Sequence, residues 1–305
     1  MFSSWRLLSA IFLVWFVCTA AGDPLQLPAF GVTRDSVEVC AYQTRSWYDA
    51  FVSHFGVAVQ LSTPYRQNPD DALYPILMRL RVGAPSDDDI DLLNSTWGEG
   101  GDDAWPDHQH LRAKNCDVDA VNDRRLSQLA GEPVTFNCVD TVNVEHPDRQ
   151  AAVYAKLQTL ARGVIQVKPG AEVVLTRSVG ELKTGARGRV TEAGTASVHC
   201  SFSGHTGDVE VRGALFEVKD AREEVLGTRF QVPLLLAWAM TITRAQGMTL
   251  PAVAIDFGCT TWAPEGMVYS GCSRSVSFSS LRVRGLTRGH VKASAHGLRY
   301  YQELE

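Results

Sequence analysis

The sequence predicts an α/β protein in which a mostly parallel sheet is interrupted by a small antiparallel β module. Apolar strand candidates alternate with helix candidates over most of the chain, and this order is typical of an open, mostly parallel sheet. From Lys168 to Phe230 the pattern changes to short alternating runs broken by glycine. Runs of that kind indicate antiparallel strands, so this stretch is predicted to be an insertion between two α/β parts.

Composition sets the class of protein and excludes little else. The chain has 305 residues, of which 45% are apolar and 21% are charged, as in an ordinary globular protein with room for two or three domains. The formal net charge of -5 gives no overall basic excess that would by itself indicate a nucleic-acid partner. Residues 270–299 nevertheless contain no acid. A solvated face and a binding surface both explain such a run.

The first 21 residues have the form of a secretory signal: Arg6, an apolar run from Leu7 to Val17, and then small residues. The apolar run is shorter than the roughly 20 residues that span a bilayer. Seven cysteines without a CxxC pair suit free thiols in a reducing compartment, and no Cys/His spacing suits zinc, so no metal site is predicted. Loss of Cys18 with a signal peptide would leave six, and Asn94 begins an NST glycosylation pattern. Secretion therefore stays open.

Each element follows from a local pattern. Trp47, Phe51 and Phe55 recur at helical spacing, and Gly83 is a natural stop for the helix that begins near Asp70. The acids of 86–94 favour the N-terminal end of a helix. In chain order we predict a turn at 24–28, helices at 45–55, 70–83, 86–94, 118–129, 148–161 and 298–304, and strands at 57–62 and 252–258.

Four polar elements follow apolar segments, where the ends of strands would place them at the ligand-binding edge of a sheet. A neutral glutamine there can bind a phosphate oxygen or orient water, and arginine can donate two parallel bonds to phosphate. Taken singly, each is equally explained as a turn or surface residue. The elements are "GDPLQLPAF" with Asp23 and Gln26, "YRQ" with Arg66, "LAWAMTITRAQGMTL" with Thr241, Thr243, Arg244, Gln246 and Gly247, and "VYSGCSRS" with Arg274.

Together and in this order, seven elements resemble the PIF-type DNA helicases, 5′-to-3′ translocases of superfamily one that are related to RecD. The resemblance runs from Gly22 to the C-terminus. The matching elements are "GDPLQLPAF", "YRQN", "LRVGAPSDDDIDLLN", "NCDVDAVN", "KPGAEVVLTRS" with "KTGARGRV", "VPLLLAWAMTITRAQGMTL" and "VYSGCSRSVSFSSLRVRGL".

The resemblance implies a division into domains. Residues 1–21 are expected to be a substitute start with signal-like composition, and 22–60 the C-terminal remnant of a first RecA-like domain. Residues 61–167 and 231–305 would form the second RecA-like motor domain, interrupted by a small β-barrel at 168–230.

The resemblance also implies roles, which are expectations for this chain. Gln26, Arg66 and Arg274 would be catalytic, and with Asp23 and Gly247 they would bind the nucleotide, ATP with Mg²⁺. Single-stranded DNA and duplex junctions would be the partners of a monomer that acts in replication, repair, recombination or telomere maintenance, in the nucleus or mitochondrion. The DNA-binding residues would be Thr241, Thr243, Arg244 and Gln246.

The sequence departs from the family pattern in ways that bear on activity. The phosphate-binding loop GxxxxGK[ST] is absent, and so is the acidic magnesium pair expected before "GDPLQLP". "ITR" replaces the family's "IHK", and "YSGCSR" replaces "YVALSR". We therefore expect a C-terminal part of a helicase that is inactive alone. The alternatives are a non-catalytic remnant that binds single-stranded DNA, and a secreted protein processed near Ala21.

Overall fold

The computed structural model describes residues 22–27 and 61–303. The signal-like segment and the predicted helix at 45–55 lie outside the described residues, as does most of the predicted strand at 57–62. No helix within the described ranges has the length and apolar character needed to span a membrane.

The described residues form helices and strands that we number in chain order. The helices are α1 (Leu73–Arg81), α2 (Asp87–Ser95), α3 (Asn115–Gln128), α4 (Pro147–Leu160), α5 (Ile242–Ala245), α6 (Met267–Cys272) and α7 (Ala295–Gln302). The strands are β1 (Gln109–Arg112), β2 (Val134–Asn137), β3 (Val139–Val142), β4 (Val164–Val167), β5 (Glu172–Leu175), β6 (Arg187–Ala193), β7 (Ser197–Phe202), β8 (Asp208–Arg212), β9 (Ala214–Lys219), β10 (Val225–Gln231), β11 (Leu234–Leu236), β12 (Ala239–Thr241), β13 (Val253–Asp256) and β14 (Leu281–Arg284).

The central sheet has the order β12-β1-β13-β14, and each neighbouring pair is parallel. The residues of β13 are all buried, as expected for a parallel strand covered on both faces. The register places Arg112 beside Thr241 and Asp256 beside Arg284 at the carboxyl ends of the strands. The predicted parallel α/β part is thereby confirmed.

Helices α1 and α2 form where their sequences predicted them. Leu73, Ile76, Leu77 and Leu80 place one apolar face of α1 in the central core, and Gly83 follows with φ +73°, which ends the helix in the conformation that glycine adopts at least cost. Ser86 caps α2: its hydroxyl accepts from the amide of Asp89, whose carboxylate in turn accepts from the amide of Ser86.

The predicted antiparallel strands are present and extend beyond 168–230. A five-stranded sheet has the order β11-β5-β6-β7-β8, a three-stranded sheet the order β3-β10-β9, and β2 pairs with β4. All pairs in these sheets are antiparallel. Antiparallel structure therefore runs from Val134 to Leu236, with α4 within it. A closed barrel remains a prediction.

The two largest apolar cores among the described residues are built on these sheets. The first surrounds the central sheet and includes Leu111, Ile255 and Leu281, and the second lies in the five-stranded sheet and includes Val198 and Leu234. The two parts meet at Arg187, whose guanidinium donates to the side chain of Gln109 and, at 2.9 Å, to the carbonyl of Ala237. Hydrogen bonds at Gln109, the first residue of β1, and at Ala237 thus join the insertion to the central sheet.

Candidate functional site

One loop, residues 246–249, gathers residues from three distant parts of the sequence. The amide Nε2 of Gln246 lies 3.4 Å from Oε1 of Gln26. Thr249 Oγ1 accepts from Nε of Arg66 at 2.9 Å, and the carbonyl of Met248 accepts from Nη1 of Arg274 at 3.2 Å. The structure therefore brings Gln26, Arg66 and Arg274 to one loop, and their catalytic roles stay predictions.

Gly247 lies at the centre of this loop. Its φ is +85°, a conformation that side chains with a Cβ rarely adopt. A Cβ added at this position would meet no atom within 4 Å. The glycine is thus required by the turn, and the space in front of it is open to a ligand.

Arg274 is the largest fully buried side chain among the described residues, with 1% of its surface exposed. Its guanidinium donates to the carbonyl of Ser270 at 2.8 Å and to Oγ of Ser273 at 2.7 Å. These acceptors are neutral, and no described carboxylate forms an ion pair with Arg274. Burial, and then repulsion by Arg66, lower the pKa of Arg274 to about 10, so that it stays charged at neutral pH. A buried cation of this kind is suited to an anion.

Arg66 and Gln67 share the carbonyl of Ser273 as a hydrogen-bond acceptor. Arg66 Nη1 donates to the carbonyl of Ser273 at 3.0 Å. Gln67 Nε2 donates to the carbonyl of Ser273 at 3.1 Å and to that of Ser275 at 2.6 Å. Sequence reasoning assigned no role to Gln67, although "YRQ" contains it. The side chain of Gln67 fixes the stretch of chain that carries Arg66.

Asp23 faces away from this loop. Its carboxylate accepts from Nε and Nη2 of Arg81 at 3.1 and 3.0 Å and from the hydroxyl of Tyr301 at 3.1 Å. Burial alone would raise the pKa of Asp23, but the hydrogen bonds and charge of Arg81 outweigh it and lower that pKa. The nucleotide-binding role of Asp23 stays a prediction, and the observed contacts are those of an anchor. Sequence reasoning missed Arg81 and Tyr301.

The segment 22–27 is seated closely against α6. The amide of Leu27 donates to Oγ of Ser270 at 3.1 Å. Gly266, with φ +72°, precedes α6, and a Cβ there would lie 2.5 Å from the carbonyl of Gln26. The glycine therefore lets the backbone of Gln26 approach, and Ser270 contacts both this segment and Arg274.

The predicted DNA-binding residues separate into two groups. Thr241 ends β12 and caps α5, its hydroxyl accepting from the amide of Arg244. Thr243 is half-buried on α5 and Arg244 is exposed. Burial and repulsion by Arg162 lower the pKa of the Arg244 guanidinium. Gln246 instead lies with Gln26 beside the arginine cluster, and its DNA-binding role stays a prediction.

The acid-free stretch 270–299 is less basic at the surface than its sequence indicates. Arg284 pairs with Asp256 at 2.6 Å, and Arg288 pairs with Asp87 at 3.0 Å. Arg282 lies over the ring of Trp105, 4.4 Å from its centroid. Most of these cations therefore have partners from elsewhere in the chain.

Thiols and possible metal ligands are dispersed. The five cysteines within the described ranges are free: Cys116, Cys138, Cys200, Cys259 and Cys272. Those same ranges contain no group of three or more His, Cys, Asp and Glu side chains arranged to hold a metal ion.

Comparisons with known proteins give curated relatives and solved structures, whereas no family model matches. The chain is 30% identical over 289 residues to ATP-dependent DNA helicase PIF1 of Homo sapiens, which covers 93% of this chain and 43% of the relative. Identity to the Xenopus laevis helicase of the same name is 27% over 298 residues, with the same coverage. The chain thus spans less than half the length of these relatives.

The fold is similar to that of solved Pif1 helicases. A crystal structure of Pif1 helicase from Candida albicans matches with a TM-score of 0.78 and 25% identity, over 93% of this chain and 68% of the other. Pif1 helicase from Bacteroides, solved in complex with ADP-AlF3 and single-stranded DNA, matches in fold with a TM-score of 0.64 and 18% identity, over 80% of this chain and 56% of the other.

Proposed function

The chain is a relative of the PIF1-type helicases, and we propose that it forms the second motor domain of an ATP-dependent 5′-to-3′ DNA helicase, with a remnant of the first. The observation that carries this proposal is the buried Arg274, which has no carboxylate partner among the described residues and shares one loop with Arg66 and Gln26. A nucleotide phosphate is an anion of suitable charge for this position.

The arginines and the glutamine would have different roles at that phosphate. The nucleotide, ATP with Mg²⁺, supplies the phosphoryl group. Arg274 and Arg66 donate N–H groups to its oxygens and stabilise the negative charge that develops there; such arginines are worth roughly 10³ to 10⁵ in rate in comparable enzymes. Gln26 supplies a neutral amide that hydrogen-bonds a phosphate oxygen or orients water. Each of the three side chains contacts the loop 246–249.

We also propose that this chain does not hydrolyse ATP alone. Its 305 residues contain no GxxxxGK[ST] loop, whose amides and lysine hold the phosphates in P-loop enzymes. Purified chain is therefore expected to show no DNA-stimulated ATP hydrolysis above a blank. Hydrolysis that rises with added single-stranded DNA would contradict this part of the proposal.

Anion binding tests the site itself. Pyrophosphate at constant ionic strength is expected to raise the thermal unfolding midpoint of the chain, because the folded state alone presents the arginine cluster. Arg274→Gln is expected to abolish the shift. Arg288→Gln removes an exposed arginine outside the cluster and should retain it. An equal shift in all three proteins, or in none, would count against a phosphate site at Arg274.

Single-stranded DNA binding without catalysis is the second candidate function. Exposed Arg244 supports it, since it lies close enough to Arg162 to be affected by that charge, and neighbouring cations can bind a phosphate backbone. Arg162 also pairs with Asp119. Fluorescence anisotropy with a labelled oligothymidine should show binding that weakens steeply with salt and is independent of nucleotide. Arg244→Gln should weaken it. No binding at low salt would remove this candidate.

The biological setting rests on the same proposal. We propose a monomer that acts on single-stranded DNA and duplex junctions in replication, repair, recombination or telomere maintenance, in the nucleus or mitochondrion. The alternative is a secreted protein, which requires cleavage of the chain near Ala21. Mass spectrometry of the protein from its source that shows an intact N-terminus would exclude that processing.

A further inference from the structure

A small cavity lies between α4 and the three-stranded sheet, on the insertion. Its volume is about 90 Å³. Val153 of α4, Val218 of β9 and Leu226 of β10 form its apolar floor, and Ala152 adds a small side chain to the lining. Val153 and Val218 are 3% and 4% exposed, so the floor belongs to the packed core between helix and sheet. The cavity is thus a largely apolar depression between α4 and the sheet.

Two cations flank this depression. Arg149 and Lys156 line the cavity at its rim, seven residues apart on α4, which places their backbones roughly 10 Å apart along the helix. Both are exposed. Within the described ranges neither forms an ion pair or a hydrogen bond through its side chain. Unpaired cations on both sides of an apolar floor are complementary to an apolar group flanked by negative charge.

We propose that this cavity binds a short acidic segment of a protein partner, with one aliphatic side chain in the depression and carboxylates on Arg149 and Lys156. A cavity of about 150 Å³ holds benzene, so the smaller volume here suits a branched aliphatic side chain. In an extended peptide, carboxylates two residues before and two residues after the aliphatic side chain lie on its face and about 13 Å apart, within reach of the two long cationic side chains.

A nucleic-acid base is a poorer occupant of the same cavity. The edge of a base carries both donors and acceptors, whereas the side chains lining this cavity are aliphatic apart from two cations, which donate but cannot accept. The site also lies on α4 and the three-stranded sheet, and none of its residues contacts the loop 246–249. The proposal therefore goes beyond the proposed helicase function and does not depend on it.

The test uses the full chain and a fluorescein-labelled peptide with the central sequence Glu-Glu-Leu-Glu-Glu. Fluorescence anisotropy should show saturable binding at moderate salt. A peptide with serine in place of leucine should bind roughly tenfold or more weakly, because the aliphatic contact is lost. Lys156→Glu and Arg149→Glu should each weaken binding of the leucine peptide, and Ala152→Leu should do so by filling the depression.

Lys183→Glu is the matched control, since Lys183 is an exposed lysine in a loop of the insertion with no side-chain partner among the described residues. It makes the same change in charge and should leave peptide binding unchanged. Circular dichroism should show that all variants are folded. Equal binding of the leucine and serine peptides would overturn the proposal. An equal loss of peptide binding in Lys183→Glu and Lys156→Glu would also overturn it. So would a chain that binds no peptide but whose oligothymidine binding is lost in Lys156→Glu.

Discussion

At the residue scale, Asp89 shows how one carboxylate can serve two purposes. It accepts from Nε and Nη2 of Arg79 at 2.7 and 2.6 Å while it completes the cap on Ser86. The hydrogen bond from Arg79 is the largest cause that lowers the pKa of Asp89, to about 2. Asp89 is buried, whereas Asp88 in the same helical turn is exposed.

Asp89→Asn is expected to lower the free energy of unfolding at neutral pH by about 1–3 kcal/mol, the usual range for a lost hydrogen bond to a charged group. Because the folded pKa lies below the ordinary value of 3.8, this contribution is present above about pH 4 and is lost as the pH falls through 2. Urea unfolding at several pH values measures it. Asp88→Asn should change stability little, and a loss as large as that of Asp89→Asn would refute the assignment.

Much at this scale could be predicted from the sequence, and the reason is distance along the chain. The cap of Ser86 and Asp89 and the stop at Gly83 are local, so "SDDDIDLLN" and "RVG" indicate them directly. The partners of Asp23 lie 58 and 278 positions away, at Arg81 and Tyr301. Nothing in "GDPLQLP" indicates them, since their approach depends on the packing of α1 and α7.

At the scale of elements, the segment 22–27 is held by α1, α6 and α7 together. The guanidinium of Arg81 lies 4.5 Å from the ring centroid of Tyr301, and both contact Asp23. Gly297 of α7 admits the backbone, because a Cβ there would lie 2.6 Å from the carbonyl of Pro24. The position of Gln26 is thus set by contacts remote from the arginine cluster.

Tyr301→Phe is expected to loosen this segment without unfolding the chain. It removes one hydrogen bond to the carboxylate of Asp23, which still accepts two hydrogen bonds from Arg81. Hydrogen exchange at the amides of Leu25 and Leu27 should become several-fold faster, in line with a loss of about 1 kcal/mol. Tyr154→Phe, which changes an exposed tyrosine on α4, should leave those amides unchanged. Equal rates in the wild-type chain and Tyr301→Phe would show that the hydroxyl does not hold the segment.

At the scale of the whole molecule, the two cores predict two unfolding transitions. Leu281 lies in the core of the central sheet and Leu234 in that of the five-stranded sheet, and both are fully buried. Each leucine-to-alanine change should cost about 2–5 kcal/mol, and each should shift a different transition in urea. Tryptophan fluorescence and circular dichroism, followed together, report them. A single transition that both variants shift alike would show one cooperative unit.

The sequence predicted the presence of a parallel and an antiparallel part, but not where the antiparallel part begins. The buried apolar run "AVAIDFG" predicted one of the four parallel strands, β13, and the glycine-broken runs predicted antiparallel ones. The antiparallel structure nevertheless begins at Val134, ahead of the predicted insertion, because β2 and β3 have only four residues each and find their partners only across the fold in β4 and β10. Strand pairing over such separations leaves no local pattern.

The position of the insertion between β1 and β12 has a consequence for engineering. These two strands are hydrogen-bonded neighbours, with His110 opposite Ala239, although more than a hundred residues separate them. Parallel neighbours need a crossover of only a dozen or so residues, and α3 alone has 14. The strand order of the central sheet therefore does not depend on the residues inserted between α3 and β12. A foreign domain could be inserted at this junction without a change in that strand order.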